Sequence, residues 1–478
     1  MFAINPPGPP CTTPRNAAGL PHSEAGVVSL DRELDDILSA NAARFSALAP
    51  LDLALRNNWR PPYMPSEDRT RLAAEYNELI RRSELNVLRL VVDALVDRLH
   101  VVGFRLAAEE KPDNTVWGWW QASSLDQRQI LVHRDAASYG DGFVLVIPDG
   151  DRPMFKAESP LSMAVEFDPY EPTRVLKAAK QVGNRAWLYT DTEIVAFERA
   201  PAAWDQRWQI TGRLEHAAGE CPVIRFANNL DSMGRSMSEV EPVLSTAERL
   251  HQTIFDRMLL QRSQAWRQRW AAGIVIDEDE DGNPINPFKL GADQMLIGNT
   301  PDAKFGEFAQ ADLTGLLKAA DEDIRAVALI SRTPPHYLPS TSISNLSSET
   351  LVALEAALAS KVSERKHLWG ESWEHAMRIG GRMVGWDIGD GAEVVWENLE
   401  LQSEAQRVDA AVKLKSIGVP LEYLLERLSL SPQEIERVMR QSEREALDDA
   451  RAQAEAFGVR QVIDPAAPPM DSNGRLDG

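Results

Sequence analysis

The sequence predicts an α+β chain, and three patterns point to it: helical apolar periodicity near the start, a central block of short strands cut by turn clusters, and a return to long helices after Gly234. Its 478 residues leave room for two to four packing units of roughly 100–200 residues each. Hydrophobic residues make up 44% and charged residues 26%, a balance that supports a folded core.

Residues 1–29 and 458–478 are poor in large apolar side chains, rich in Pro, Gly and Ala, and read as disordered tails. A first helix is expected over Leu30–Leu48. A second is expected over Ser66–Leu99, with Ser66, Glu67 and Asp68 as cap and first-turn acids and Leu88, Val91, Val92, Leu95 and Leu99 on the buried face. From Val101 the period shortens. The β-prone runs are Val101–Leu106, Phe143–Ile147, Met163–Phe167, Ala186–Tyr189, Glu193–Glu198, Trp208–Thr211 and Val223–Phe226. Turn clusters such as Tyr139-Gly140-Asp141-Gly142 and Gly183-Asn184-Arg185 separate them, and a helix over Leu125–Ser138 interrupts them.

Beyond Gly234, Val240, Val243, Leu244, Ala247, Leu250, Ile254, Met258 and Ala265 recur at helical spacing until about Trp270, a helix of about 45 Å. A β-like insert rich in Gly, residues 273–308, follows. A second helix over Asp312–Ser331 carries Leu313, Leu316, Leu317, Ala320, Ile324, Val327 and Ala328, so the chain makes a helical hairpin capped by a small insert. After Thr333-Pro334-Pro335 comes a loop, Tyr337–Ser348, without one charged side chain. A long helix is expected from Glu349 to about Ile379, then Gly-rich turns, a strand near Glu393–Trp396, and a helical C-terminal region in which Ser431-Pro432-Gln433-Glu434 is a well-formed helix start.

Composition and motifs exclude several function classes. No stretch has the eighteen or so uncharged apolar residues of a membrane span, and the first thirty residues show no secretory signal pattern. Two cysteines, Cys11 and Cys221, cannot make a disulfide framework or a multi-Cys metal site, and Cys221 reads as a buried filler. A formal charge of −21 disfavours gripping a phosphate backbone. No phosphate-binding loop, zinc-protease helix or dinucleotide fingerprint is present. Gly234-Arg235-Ser236-Met237-Ser238 lacks the closing Gly of a nucleophile elbow and reads as a turn before the long helix. Asp277, Asp279, Asp281 and Gly282 fit the start of a calcium loop, but Phe288 stands where the bidentate Glu belongs, so a solvated acidic turn is expected. His367 and His375, eight residues apart on one helix, have no acidic partner at metal spacing beyond Glu364, Glu371 and Glu374, and read as core or surface histidines. No catalytic centre, metal or cofactor is therefore expected. The end of the first long helix, with Arg262, Trp266, Arg267, Arg269 and Trp270, combines residue types that favour a helix C-terminus with those that interfaces concentrate.

These blocks, in this order, resemble the portal proteins of tailed phages, most closely the branch found in phages of actinobacteria. Wording that carries the likeness includes Asn86-Val-Leu-Arg-Leu-Val-Val-Asp93, Val101-Val-Gly103-Phe104, Trp120-Gln121, Ser159-Pro160, Asp168-Pro169, Pro222-Val-Ile-Arg225-Phe226-Ala-Asn228, Ile330-Ser331-Arg332-Thr333-Pro334-Pro335 and Gly370-Glu371-Ser372-Trp373-Glu374. It covers about residues 50 to 400, and the order is more specific than any one motif.

The resemblance implies a subunit with a mixed α/β wing at residues 30–237 and 349–401, stem helices at 238–270 and 311–333, a small β-rich clip at 271–310, a tunnel loop at 334–348 and a helical crown at 402–457. It implies a ring of about twelve copies at a capsid vertex, through which double-stranded DNA is packaged and ejected. Tyr337, Ser340, Thr341, Ser342, Ser344 and Asn345 would face the DNA channel, and Asp277, Asp279, Asp281 and Asn283 would face the large terminase subunit and the head-tail adaptor. Major capsid and scaffolding proteins are further implied partners. The expected location is the virion, with assembly in the host cytoplasm. A soluble head scaffold or adaptor without a DNA channel is the alternative.

Overall fold

The computed structural model describes residues 30–58, 62–63, 73–105, 114–199, 207–265, 269–273, 301–307, 312–339, 348–397, 404–428, 430 and 432–456. Among them the first helical stretch is bent into α1 (Leu30–Ala40) and α2 (Ala42–Leu55). The break falls at Asn41, whose side chain is used as a substitute strand. Its amide donates to the Val165 carbonyl at 3.0 Å and its oxygen accepts from the Val165 N–H at 3.2 Å. The edge of strand β4 (Met163–Phe167) is thus closed by a side chain, which spares the sheet an open edge.

The expected single helix over Ser66–Leu99 is instead two described helices, α3 (Ala73–Ser83) and α4 (Val87–Val96). The cause is Asn86. Its oxygen caps the Arg89 N–H at 3.1 Å while its amide donates to the Leu55 carbonyl at 2.8 Å, so a new helix starts there and is pinned to α2. The expected apolar face is buried as predicted, at Leu88, Val91, Val92, Leu95 and Leu99.

Strand β1 (Val101–Arg105) pairs antiparallel with β12 (Glu393–Trp396), so the two ends of the α+β body close on each other. Between them lie α5 (Asn114–Ala122), α6 (Leu125–Tyr139) and strands β2 (Asp141–Asp149), β3 (Arg152–Glu158), β4, β5 (Val175–Val182), β6 (Arg185–Tyr189), β7 (Glu193–Glu198), β8 (Gln209–Glu215) and β9 (Val223–Ala227). They make a three-stranded sheet in the order β3-β2-β9 and a five-stranded antiparallel meander, β4-β5-β6-β7-β8. One face of the meander packs on Leu34 and Ile37 of α1, and the other packs on Phe143, Leu145 and Val223 of the smaller sheet. At Gly142 strand β2 approaches α6 so closely that a Cβ would sit 2.6 Å from the Val132 carbonyl oxygen.

Arg225 stitches the surface loops to this body. It pairs with Asp141 at 2.7 Å, donates to the Pro172 and Gly234 carbonyls, and lies over the Phe167 ring. The segment Gly234–Ser238 is a turn, as expected. Asp231 accepts the N–H groups of Met233 and Arg235, and Ser238 Oγ donates to the Ser138 carbonyl at 2.7 Å. Cys221 is buried, and burial pushes its thiol up to about 12.

A 3₁₀ turn (Glu241–Val243) leads into α7 (Leu244–Ala265), and an antiparallel ribbon of β10 (Arg269–Ala272) and β11 (Lys304–Glu307) leads into α8 (Thr314–Ser331). A second 3₁₀ turn (Pro335–Tyr337) precedes the 36-residue α9 (Ser348–Met383). After β12 come α10 (Glu404–Ser416), α11 (Leu421–Arg427) and α12 (Pro432–Ala456). No described helix is long and apolar enough to cross a membrane.

Candidate functional site

The hairpin of α7 and α8 carries most of the residues that the sequence singles out, and its geometry follows from which faces are apolar. On α7, Ala247, Leu250 and Phe255 are buried; on α8, Asp323, Ile324, Val327, Ala328 and Ser331 are. Arg249 ties the two helices together, donating through Nε and Nη2 to Asp323 at 2.8 and 2.6 Å. Its other flank is held by α3, where Tyr76 meets Phe255 edge-on with ring centroids 5.4 Å apart and Ser83 Oγ lies 3.0 Å from His251 Nε2.

At the base of the hairpin the structure corrects the expected boundary. The helix ends at Ala265, and Arg269 and Trp270 belong to β10. The ribbon prevails because Trp270, paired with Gly306 across the ladder, lays its indole over the bare glycine; a Cβ there would meet the ring at 2.5 Å. Trp270 is therefore partly spent on the ribbon. Arg262 sits exposed in the last turn of α7, whereas Trp266 and Arg267 lie outside the described residues, as do Asp277, Asp279, Asp281 and Asn283.

At the opposite end α8 stops where Arg332 takes a left-handed conformation (φ 54°) before Thr333-Pro334. Tyr337, the first residue of the uncharged loop, is half-buried and anchored. Arg98 donates to its hydroxyl and also pairs with Glu355 of α9 at 2.7 Å, and His336 Nε2 lies 3.1 Å from the same carboxylate. Burial and the hydrogen bond with Glu355 raise the phenol above its ordinary range. Tyr337 thus fixes where the loop departs. Ser340, Thr341, Ser342, Ser344 and Asn345 lie outside the described residues.

The turn before α7, the end of α8 and the middle of α9 meet at a buried polar junction that sequence reasoning missed. Glu239, in the turn before α7, accepts from Lys361 Nζ at 3.0 Å and from Arg365 Nη2 at 2.9 Å. Lys361 also donates to the Ser331 carbonyl at the end of α8, at 2.6 Å, and Asn228 donates to Glu239 at 3.1 Å. Arg365 donates to Asn228 and Asn229 besides. Burial alone would raise the Glu239 carboxyl, but the two cations outweigh it and hold it below the ordinary carboxylate range. One turn and two turns further along the same face of α9, Trp369 donates to the Ala227 carbonyl at 2.9 Å and Trp373 to His133 Nε2 at 3.0 Å. A signal for this junction exists in the sequence: Lys361 and Arg365 fall at helical spacing within the apolar stripe Leu358, Val362, Trp369 and Trp373, and cations on a buried face need a partner.

His367 and His375 do not combine into a metal site. His367 Nδ1 lies 2.7 Å from the Ser363 carbonyl, and His375 Nε2 lies 3.1 Å from Glu220. Among the described residues no group of three His, Cys, Asp or Glu is placed to hold a metal ion.

Among solved structures the chain is similar to one described as the neck of a native GTA particle computed with C12 symmetry, at 12% identity and a TM-score of 0.43, over 80% of this chain and 99% of that one. It is 30% identical over 391 residues to the portal protein of Mycobacterium phage L5 and 29% identical over 390 residues to that of Mycobacterium phage D29. In both cases 75% of this chain and 78% of the relative are covered. The resemblance to portals of actinobacterial phages is thereby borne out. Residues 54–447 match the model of the family described as phage portal protein, SPP1 Gp6-like, and this chain belongs to that family of portal proteins.

Proposed function

We propose that copies of this chain close into a ring of about twelve subunits at one capsid vertex, with the α7–α8 hairpin as its stem and a central channel for double-stranded DNA during packaging and ejection. The observation that carries this reading is the hairpin itself. It is rooted in the α+β body through the Glu239 junction, and it ends at an anchored loop that holds no charged side chain. Residues 271–310 serve as the clip that meets the large terminase subunit and the head-tail adaptor, and 402–457 serve as the crown. The ring contributes no catalytic step of its own. It assembles in the host cytoplasm with capsid and scaffolding proteins.

Charge supports the channel. With about twelve copies at −21 each the ring formally carries about −250, so its lining repels the duplex instead of holding it. A loop of hydroxyl and amide side chains touches phosphates without the counterion-releasing ion pairs that would make DNA stick. Replacing Ser340, Thr341 and Ser342 together by Lys is accordingly expected to reduce packaged genomes at least tenfold while leaving ring formation intact, measured as DNA-filled heads per portal-containing particle. Unchanged packaging would remove the loop from the channel wall.

A further inference from the structure

The solvent flank of α8 is not built like an ordinary solvated helix face. Opposite its buried side one ridge runs Lys318, Glu322, Arg325, Leu329 and reaches Arg332 at the C-cap. Near the end of that ridge Leu329 is 80% exposed and its neighbour Ile330 is 51% exposed. Beside them a cleft of about 520 Å³ opens between α8 and the start of α9, lined by Ala328, Leu329, Ala353 and Ala357 together with Arg325 and Arg332. An apolar, alanine-walled cleft carrying two guanidinium groups suits a partner that is small, apolar and acidic.

The same hairpin presents such a surface on its other helix. Glu241 and Pro242 in the 3₁₀ turn and Ser245 and Glu248 in the first turns of α7 are exposed, and the preceding loop exposes Met233 and Met237. Neither Glu241 nor Glu248 has an ion pair among the described residues. The spacing matches as well. Arg325 and Arg332 are seven residues apart, as are Glu241 and Glu248, and the rise through α8 to its cap, and through the 3₁₀ turn into α7, sets each pair roughly 10–12 Å apart. Arg249 of α7 reaches Asp323 of α8, while Glu239 before α7 and the Ser331 carbonyl at the end of α8 meet on Lys361, so the two helices of the hairpin run in opposite directions. A neighbour generated by rotation about an axis along the hairpins offers its α7 antiparallel to this α8. Arg332 then stands level with Glu241 and Arg325 with Glu248, and Leu329 meets the small Ser245 between them.

We infer that the Arg325–Leu329–Arg332 flank of α8 in one subunit docks on the Glu241–Ser245–Glu248 flank of α7 in the next, an apolar contact bracketed by two ion pairs. The two patches differ, so the contact is head-to-tail, the kind that closes into a ring when the rotation per subunit divides the circle. It rests on the ring reading above and adds which surfaces meet.

The test is a charge swap on the full-length chain, read by native mass spectrometry and negative-stain imaging of R325E, E248R and the R325E/E248R double variant. Both side chains are exposed, and thermal melts of the singles check that each still folds. The wild type is expected to form rings, each single to lower the ring fraction at least tenfold, and the double to recover most of it. Wild-type rings with singles that assemble equally well, or a double that recovers nothing, would overturn this pairing while leaving the ring in place. Wild-type chain that never closes would instead sink the ring reading, and this contact with it.

Discussion

Replacing Glu239 by Gln is expected to destabilise the fold by roughly 3–5 kcal/mol, seen as a large fall in the urea midpoint. Lys361 and Arg365 are 3% and 1% exposed, and Glu239 is the carboxylate both of them bond. Their remaining partners are neutral or solvent-exposed: the Ser331 carbonyl, Asn228, Asn229, and Glu364 at 3.0 Å on the surface of α9. Gln preserves the shape and removes the charge, so two cations stay in a site that water barely reaches. By contrast, the exposed pair Asp409–Lys413 on α10, at 2.6 Å, is worth a few tenths of a kcal/mol at most, and Asp409→Asn is the control. The sign with pH is fixed by the depressed carboxyl of Glu239. Its contribution is fully present above the pKa of an unfolded Glu and is lost as pH falls through the lower folded value. A shift no larger than that of the control would mean that the junction does not hold the hairpin and α9 together.

The second large effect is acid sensitivity carried by His133. Its Nδ1–H donates to the Leu99 carbonyl at 3.0 Å and its Nε2 accepts the Trp373 indole N–H at 3.0 Å, which fixes one neutral tautomer. The ring is fully buried and stacked on Trp369 with centroids 4.9 Å apart. Burial lowers its pKa from 6.5 to about 3. Between those values the unfolded chain binds a proton that the native chain refuses, so native stability falls as pH falls from about 6.5 toward 3. One such group contributes a slope of about 1.4 kcal/mol per pH unit inside that window. His133→Gln offers a donor for Leu99 and an acceptor for Trp373 but cannot titrate. Its stability is expected to fall less steeply than the wild type between pH 6 and pH 4, measured by urea unfolding at each pH. Parallel slopes would show that His133 is protonated in the fold.

Elements whose identity depends on local signals were legible in the sequence. The helix α6, the strand β12 and the hairpin with its insert all follow from periodicity, caps and glycines. What tertiary packing decides was not. Strand β3 contains Pro153 and is missing from the expected β-prone runs, yet it pairs at the edge of its sheet, where a missing N–H is tolerated. Strand β5 is built on Lys and Ala with weak strand preference, and it forms because Val175, Ala178 and Ala179 fill the space between two layers. Helix α5 has three Trp around Gly118 and no clean period: Trp117 stacks on Trp120, Trp120 in turn meets Trp373, and Trp119 meets Trp386. The candidate site divides the same way. The loop is marked by its lack of charge, a property of composition, while its anchor joins Arg98, Tyr337 and Glu355 from three distant segments, and no spacing rule connects them.

Whether this chain closes around a channel is decided by class averages of the purified full-length protein in the electron microscope. Closed rings of about twelve subunits are expected, with a central opening wide enough for duplex DNA and stems formed by the α7–α8 hairpins. Monomers or dimers alone across a range of salt and protein concentration, or rings whose opening is too narrow for a duplex, would contradict it and favour a scaffold or adaptor without a channel.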